Sequence, residues 1–128
     1  MELIILGSSA AIPVAQRNLL SIALKYQSNL FLFDCGEDLQ RRFVDANLKF
    51  NKPLTIFISH LHGDHVIGLP GLLFRFNLIG REAPVHIFGF RNLFFYLLFH
   101  HQILGLRADY PLNIWEIDDK NIYKIHCG

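Results

Sequence analysis

The sequence carries little charge and almost no excess of either sign. Lys and Arg number 12 against 11 Asp and Glu, the formal net charge is +1, and only 18% of residues are charged. Bulk charge therefore supplies no nucleic-acid-binding field, and any RNA contact has to come from a local patch. Cysteine is scarce: Cys35 and Cys127 are the only two and lie far apart. That excludes the dense disulfide framework of a small secreted domain and leaves one bridge possible in principle. Long apolar runs are missing as well. The longest, Leu93 to Phe99, is preceded by Arg91 and followed by His100 and His101, far short of the roughly 20 residues of a membrane span. Met1 and Glu2 lead straight into an apolar strand with no basic segment or cleavage pattern, which predicts a cytoplasmic protein with no membrane partner. Repeats, linkers and low-complexity tracts are absent, so residues 1–128 are expected to form one unit.

Apolar residues, by contrast, are abundant, at 52% of the 128, with a mean hydropathy of +0.28. The length suffices for one buried core. With so few charges to cover that apolar content, part of it is expected to meet a partner or a further part of a larger protein.

The pattern alternates strands and helices. Leu3 to Leu6 is a short apolar run ended by Gly7-Ser8-Ser9, as in a buried strand. Ile22, Leu24 and Tyr26 alternate with Ala23 and Lys25, and Gln27-Ser28-Asn29 turns the chain into a second run, Leu30 to Phe33. Glu37 to Ala46 changes period: Leu39, Phe43 and Ala46 share a helical face, and Glu37–Arg41 and Asp38–Arg42 are spaced to pair outside it. Leu54 to Ser59 is a buried strand. Pro70 suits a first helical turn and opens a helix over Gly71 to Ile79, closed by Gly80. Val85 to Phe88 is a strand, Asn92 to Leu104 a helix ending at Gly105, and Leu112 to Ile117 and Ile122 to Ile125 a last strand pair. This order predicts an α/β layered domain.

The chemistry concentrates in His60-Leu61-His62-Gly63-Asp64-His65, directly after a buried strand. If the chain leaves that strand extended, His60 and His62 project to one side. Gly63 permits a tight bend that can return Asp64 and His65 to the same pocket. Imidazole and carboxylate are ligands that zinc accepts, and manganese or iron would accept the same set.

This hexapeptide is the signature of the metallo-β-lactamase superfamily, and its surroundings resemble the ribonuclease Z family, which processes tRNA 3′ ends. Gly68-Leu69-Pro70-Gly71-Leu72-Leu73 follows it. Leu32-Phe33-Asp34-Cys35-Gly36-Glu37 with Gln40 is similar to the family's Phe-Asp-Cys-Gly-Glu segment. Leu6-Gly7-Ser8-Ser9, Pro13 and Arg17-Asn18 are similar to its N-terminal stretch. Ser8-Ser9 stand where the family has Thr-Gly, and Asp38-Leu39 where it has Gly-Thr. The resemblance covers roughly residues 1–90 in register and the rest more loosely.

The resemblance implies an αββα sandwich, of which this chain would supply the N-terminal half, a mixed sheet with flanking helices. It implies two zinc ions, the first on His60 and His62 and the second on Asp64 and His65, with Asp64 also accepting the proton of the attacking water. Asp34 is either a brace for the histidine loop or a turn or cap residue. Also implied are a homodimer and the removal of the 3′ trailer from precursor tRNA by metal-hydroxide attack on a phosphodiester, leaving a tRNA 3′-hydroxyl. Two zinc ions require about six or seven protein ligands, whereas the motif offers four. His126 is the sole late candidate and reads as a surface strand residue; His86, within a strand, lacks metal-like spacing, and His100 and His101 lie in the apolar helix and read as structural or at a subunit contact. The chain is therefore expected to be truncated on its C-terminal side and impaired alone. The alternatives are another phosphodiesterase or arylsulfatase-like hydrolase of the same fold, or a non-catalytic fragment that needs a complementary chain.

Overall fold

The computed structural model describes residues 1–125. Seven strands form one sheet in sequence order: β1 (Glu2–Gly7), β2 (Ser21–Tyr26), β3 (Asn29–Phe33), β4 (Leu54–Phe57), β5 (Val85–Phe90), β6 (Leu112–Ile117) and β7 (Ile122–Ile125). The outer pairs are antiparallel hairpin-like neighbours, while β3, β4, β5 and β6 run parallel. Parallel neighbours need crossovers, and helices supply them: α1 (Leu39–Asp45), α2 (Gly63–Val66) with α3 (Gly68–Leu78), and α4 (Leu93–Leu104). Right-handed crossovers that always advance in one direction deposit their helices on one face.

Burial follows that rule. The aligned row Ile4, Ala23, Leu32, Ile56, Ile87 and Ile114 faces the helices. It packs with Leu39 and Phe43 of α1, Leu72 and Phe76 of α3, and Leu93 and Leu97 of α4. The opposite face carries a second register row, Ile5, Ile22, Phe33, Phe57, Phe88 and Trp115. Its aromatic members stack strand to strand, with centroid separations of 5.3 Å for Phe33–Phe57, 5.4 Å for Phe57–Phe88 and 5.4 Å for Phe88–Trp115. Lys124 Nζ ends the row 5.3 Å above Trp115. Leu3 and Ile5 are 64% and 63% exposed there, so part of the apolar excess in the composition lies on a sheet face that no described helix covers, and part on the outer side of α4, where Phe95, Phe99 and Ile103 are exposed.

Three local readings need correction. The first helix begins at Leu39 rather than Glu37, because Asp38 adopts a left-handed φ of 64°. The expected Glu37–Arg41 and Asp38–Arg42 pairs therefore do not form. Arg41 meets Asp38 at 3.4 Å, and Arg42 meets Asp45 at 3.0 Å while its Nε donates to the Leu6 carbonyl. Next, α3 begins at Gly68 rather than Gly71 because Ile67 is already helical, which places Pro70 inside the first turn. Finally, Gly63 makes no left-handed bend. It is the first residue of the one-turn helix α2, and helix onset after the extended His62 reverses the chain.

Candidate metal centre

The candidate residues lie beyond the carboxyl ends of β3 and β4, where an open parallel sheet generally presents its ligand site. The ladder continues past the strands through Asp34 N to Phe57 O (2.9 Å) and Ile58 N to Phe88 O (2.8 Å). Asp34 then takes a left-handed φ of 59°, a conformation that Asp tolerates better than most residues. Its buried carboxylate accepts from Ser59 N at 2.7 Å through Oδ1, and Oδ2 lies 2.8 Å from both Ser59 Oγ and His65 Nδ1. Of the two roles open to Asp34, the geometry gives the brace. It caps no helix: α1 is preceded by Asp38 and has no side-chain cap.

The structure brings the hexapeptide's side chains together. The His60 ring centroid is 4.5 Å from that of His62 and 4.0 Å from that of His65. His65 Nε2 stands 3.3 Å from Asp64 Oδ2. Asp64 Oδ2 also accepts the Ala11 backbone N–H at 3.1 Å, which draws the loop between β1 and β2 over the site. That hydrogen bond is the largest cause holding the Asp64 carboxyl below its ordinary range, and His65 and His60 add to it. Asp64 is thus an anion at neutral pH. The short α2 is tied down by Cys35 N to His65 O (2.7 Å), Gly68 N to Cys35 O (2.9 Å) and Tyr96 Oη to Val66 O (3.0 Å). The Cys35 thiol is pushed well up by burial first and by Asp34 second, so it offers no thiolate ligand.

Imidazole nitrogen and carboxylate oxygen are donor types that a divalent cation takes. Where His65 gives its Nδ1 proton to Asp34, its Nε2 is bare and faces an anionic carboxylate oxygen at 3.3 Å. Two acceptors at that distance require a proton or a cation between them. The pairs are close, but among the described residues no group of three or more His, Cys, Asp or Glu side chains is arranged to hold one ion. The remaining histidines are used elsewhere. His86 Nδ1 takes the Trp115 indole N–H at 3.3 Å, and His100 and His101 bond the carbonyls of Tyr96 and Leu106. His126 and Cys127 lie outside the described residues. A cleft of about 520 Å³ under α4, lined by residues such as Leu97, His101, Leu106 and Ile114, includes none of the motif residues. Sequence reasoning missed Ser59 and the Ala11 N–H. Ser59 stands directly before the histidine run, whereas a backbone donor 53 residues from its acceptor leaves no side-chain signal.

Residues 1–106 match the family model described as "Anti-Pycsar protein Apyc1". Ribonuclease Z of Methanococcus maripaludis (strain C6) is 44% identical over 98% of this chain and 41% of its own length. Among solved structures, human tRNase Z, short form, superposes with a TM-score of 0.83 at 32% identity, covering 91% of this chain and 45% of that one. The metallo-β-lactamase fold protein YhfI from Bacillus subtilis gives 0.69 at 17% identity, covering 93% and 46%, a likeness of fold. Sheet, helix layer and histidine loop thus define part of a metallo-β-lactamase fold. The chain belongs to the family described as Anti-Pycsar protein Apyc1, and the relatives that bear out its sequence resemblance are ribonucleases Z. It spans about two fifths of the length of those curated relatives.

Proposed function

We propose that this chain is the His-x-His-x-Asp-His portion of a zinc-dependent endoribonuclease that removes the 3′ trailer from precursor tRNA. The observation that carries the reading is the convergence of three imidazoles and the Asp64 carboxylate at the ends of β3 and β4, braced by Asp34. His60 and His62 would hold one zinc, and Asp64 and His65 the second. When bound, the ions supply a nucleophile at neutral pH and stabilise charge on the phosphodiester oxygens. Asp64, kept anionic by the Ala11 N–H, accepts the proton of the attacking water. The water oxygen bonds to phosphorus, the bond to the tRNA 3′-oxygen breaks, the proton taken from water is returned to that oxygen to give the 3′-hydroxyl, and the phosphate departs with the trailer. With two zinc ions, which need about six or seven protein ligands, the rest of the zinc sphere would come from outside the described residues, so the chain alone is expected to cleave little. The working enzyme is proposed to be a cytoplasmic homodimer; no helix among the described residues is long and apolar enough to cross a membrane.

The test is trailer removal from precursor tRNA by the protein supplemented with zinc and the complementary C-terminal portion of a ribonuclease Z. Asp64→Ala is expected to lower the rate by about 10²–10⁴-fold, the usual contribution of a positioned proton acceptor. Cleavage of bis(p-nitrophenyl) phosphate with no action on precursor tRNA would favour another phosphodiesterase of the same fold. Unchanged tRNA cleavage by Asp64→Ala would remove Asp64 from the mechanism.

A further inference from the structure

Ser59 Oγ lies 2.8 Å from Asp34 Oδ2 and 2.9 Å from His60 Nδ1. A hydroxyl has one proton to give and two lone pairs, and an ionised carboxylate only accepts. The serine proton therefore goes to Asp34. Toward His60 the oxygen can then only accept, so His60 Nδ1 must carry the ring proton. The same Asp34 oxygen lies 2.8 Å from His65 Nδ1 and demands a donor there too. Both neutral rings are left with a bare Nε2, the atom available to a cation. His60 is only half-buried and Ser59 is exposed, so water competes for both ring nitrogens of His60. The serine itself is held at a second point, its backbone N–H bonded to Asp34 Oδ1 at 2.7 Å.

We propose that Ser59 is a positioning residue that fixes His60 in its Nδ1–H form, so that Asp34 sets the tautomer of two candidate ligands, His65 directly and His60 by relay. The purpose of the relay rests on the metal-centre reading of the site, but its geometry does not. His62, which has no side-chain hydrogen-bond partner among the described residues, lies outside the relay and serves as an internal control.

The experiment labels the protein isotopically at its histidine nitrogens and reads each ring's tautomer by long-range nitrogen–proton NMR. The spectra are recorded at a pH about two units above the ordinary imidazole pKa of about 6.5. In the wild type, His60 and His65 are expected as Nδ1–H. Ser59→Ala should move His60 toward Nε2–H, the form neutral imidazole prefers in water, and leave His65 and His62 unchanged. Ser59→Thr should restore His60. An unchanged His65 signal shows that the variant retains the site. If Ser59→Ala does not fold, the wild-type spectrum decides alone: His60 as Nε2–H would overturn the proposal, as would a His60 tautomer indifferent to the loss of the hydroxyl. A parallel zinc titration is expected to show roughly 10-fold weaker binding for Ser59→Ala, at the lower end of what such supporting contacts contribute, and recovery in Ser59→Thr. A tautomer that responds in a protein that binds no zinc would keep the relay and remove the metal reading. An indifferent tautomer in a zinc-binding protein would do the reverse.

Discussion

Gly68→Ala is expected to destabilise the protein by about 2–4 kcal/mol, a large share of the stability of any small domain. An added Cβ would stand 2.0 Å from the Gly36 carbonyl oxygen and 2.9 Å from its carbon. Both are backbone atoms, so no side chain can swing aside. Overpacking of this kind costs about 1–3 kcal/mol. The forced separation also strains the Gly68 N to Cys35 O bond of 2.9 Å, worth about 1 kcal/mol. The same approach brings α2 and α3 against the end of β3, so the substitution should loosen the candidate site as it weakens the fold. Gly63→Ala is the matched control. Its Cβ would meet only the Ile67 Cδ1 atom at 3.8 Å, and a change within about 0.5 kcal/mol is expected. Urea midpoints for the two variants check the pair; equal shifts would mean that the Gly36–Gly68 contact is not what holds these elements together.

Asp34→Asn is expected to weaken zinc binding by about 10–100-fold, the range found when a ligand's supporting partner is lost. The side chain keeps its shape, yet it gains an N–H₂ donor where an acceptor stood. If its oxygen still takes the Ser59 N–H, its nitrogen faces Ser59 Oγ and His65 Nδ1, both of which give protons to the aspartate at 2.8 Å. His65 must then accept at Nδ1 and carry its proton on Nε2, the atom turned toward Asp64. A correctly shaped but wrongly protonated site results. Competition against a chelator of known affinity measures the loss. An affinity within twofold of the wild type would show that Asp34 does not govern the His65 tautomer.

Much of this architecture was legible in the sequence, for identifiable physical reasons. Leu112 to Ile117 and Ile122 to Ile125 are strands with the expected bounds, because short β-rich runs between turn residues have few alternatives. The histidine loop was legible because six contiguous residues carry four donors, whose side chains lie close together in the structure. Less local features were not. The stacking of Phe33, Phe57, Phe88 and Trp115 depends on inter-strand register, which a period-two pattern within each strand does not specify. The left-handed Asp38 cancelled two charge pairs that helical spacing had suggested. Gly63 looked like a bend because glycine permits one, but helix onset achieved the same reversal. Ser59 reads as the last residue of a strand, and its place between Asp34 and His60 depends on a contact 25 residues away that the sequence does not show.

The uncovered aromatic row and the motif's four ligands, where two zinc ions would need about six or seven, both accord with the proposal that further protein completes the site. A layer of helices and a sheet account for the described residues, and the curated relatives are more than twice as long as the matched stretch. The central claim is that His60, His62, Asp64 and His65 form a metal centre. Its most direct test is equilibrium dialysis against zinc of the protein paired with the complementary C-terminal portion of a ribonuclease Z, followed by elemental analysis, for the wild type and for His62→Ala and His65→Ala. Zinc is expected to be retained by the wild type and largely lost from each variant. A wild type that retains none, or variants that retain as much as it does, would contradict it.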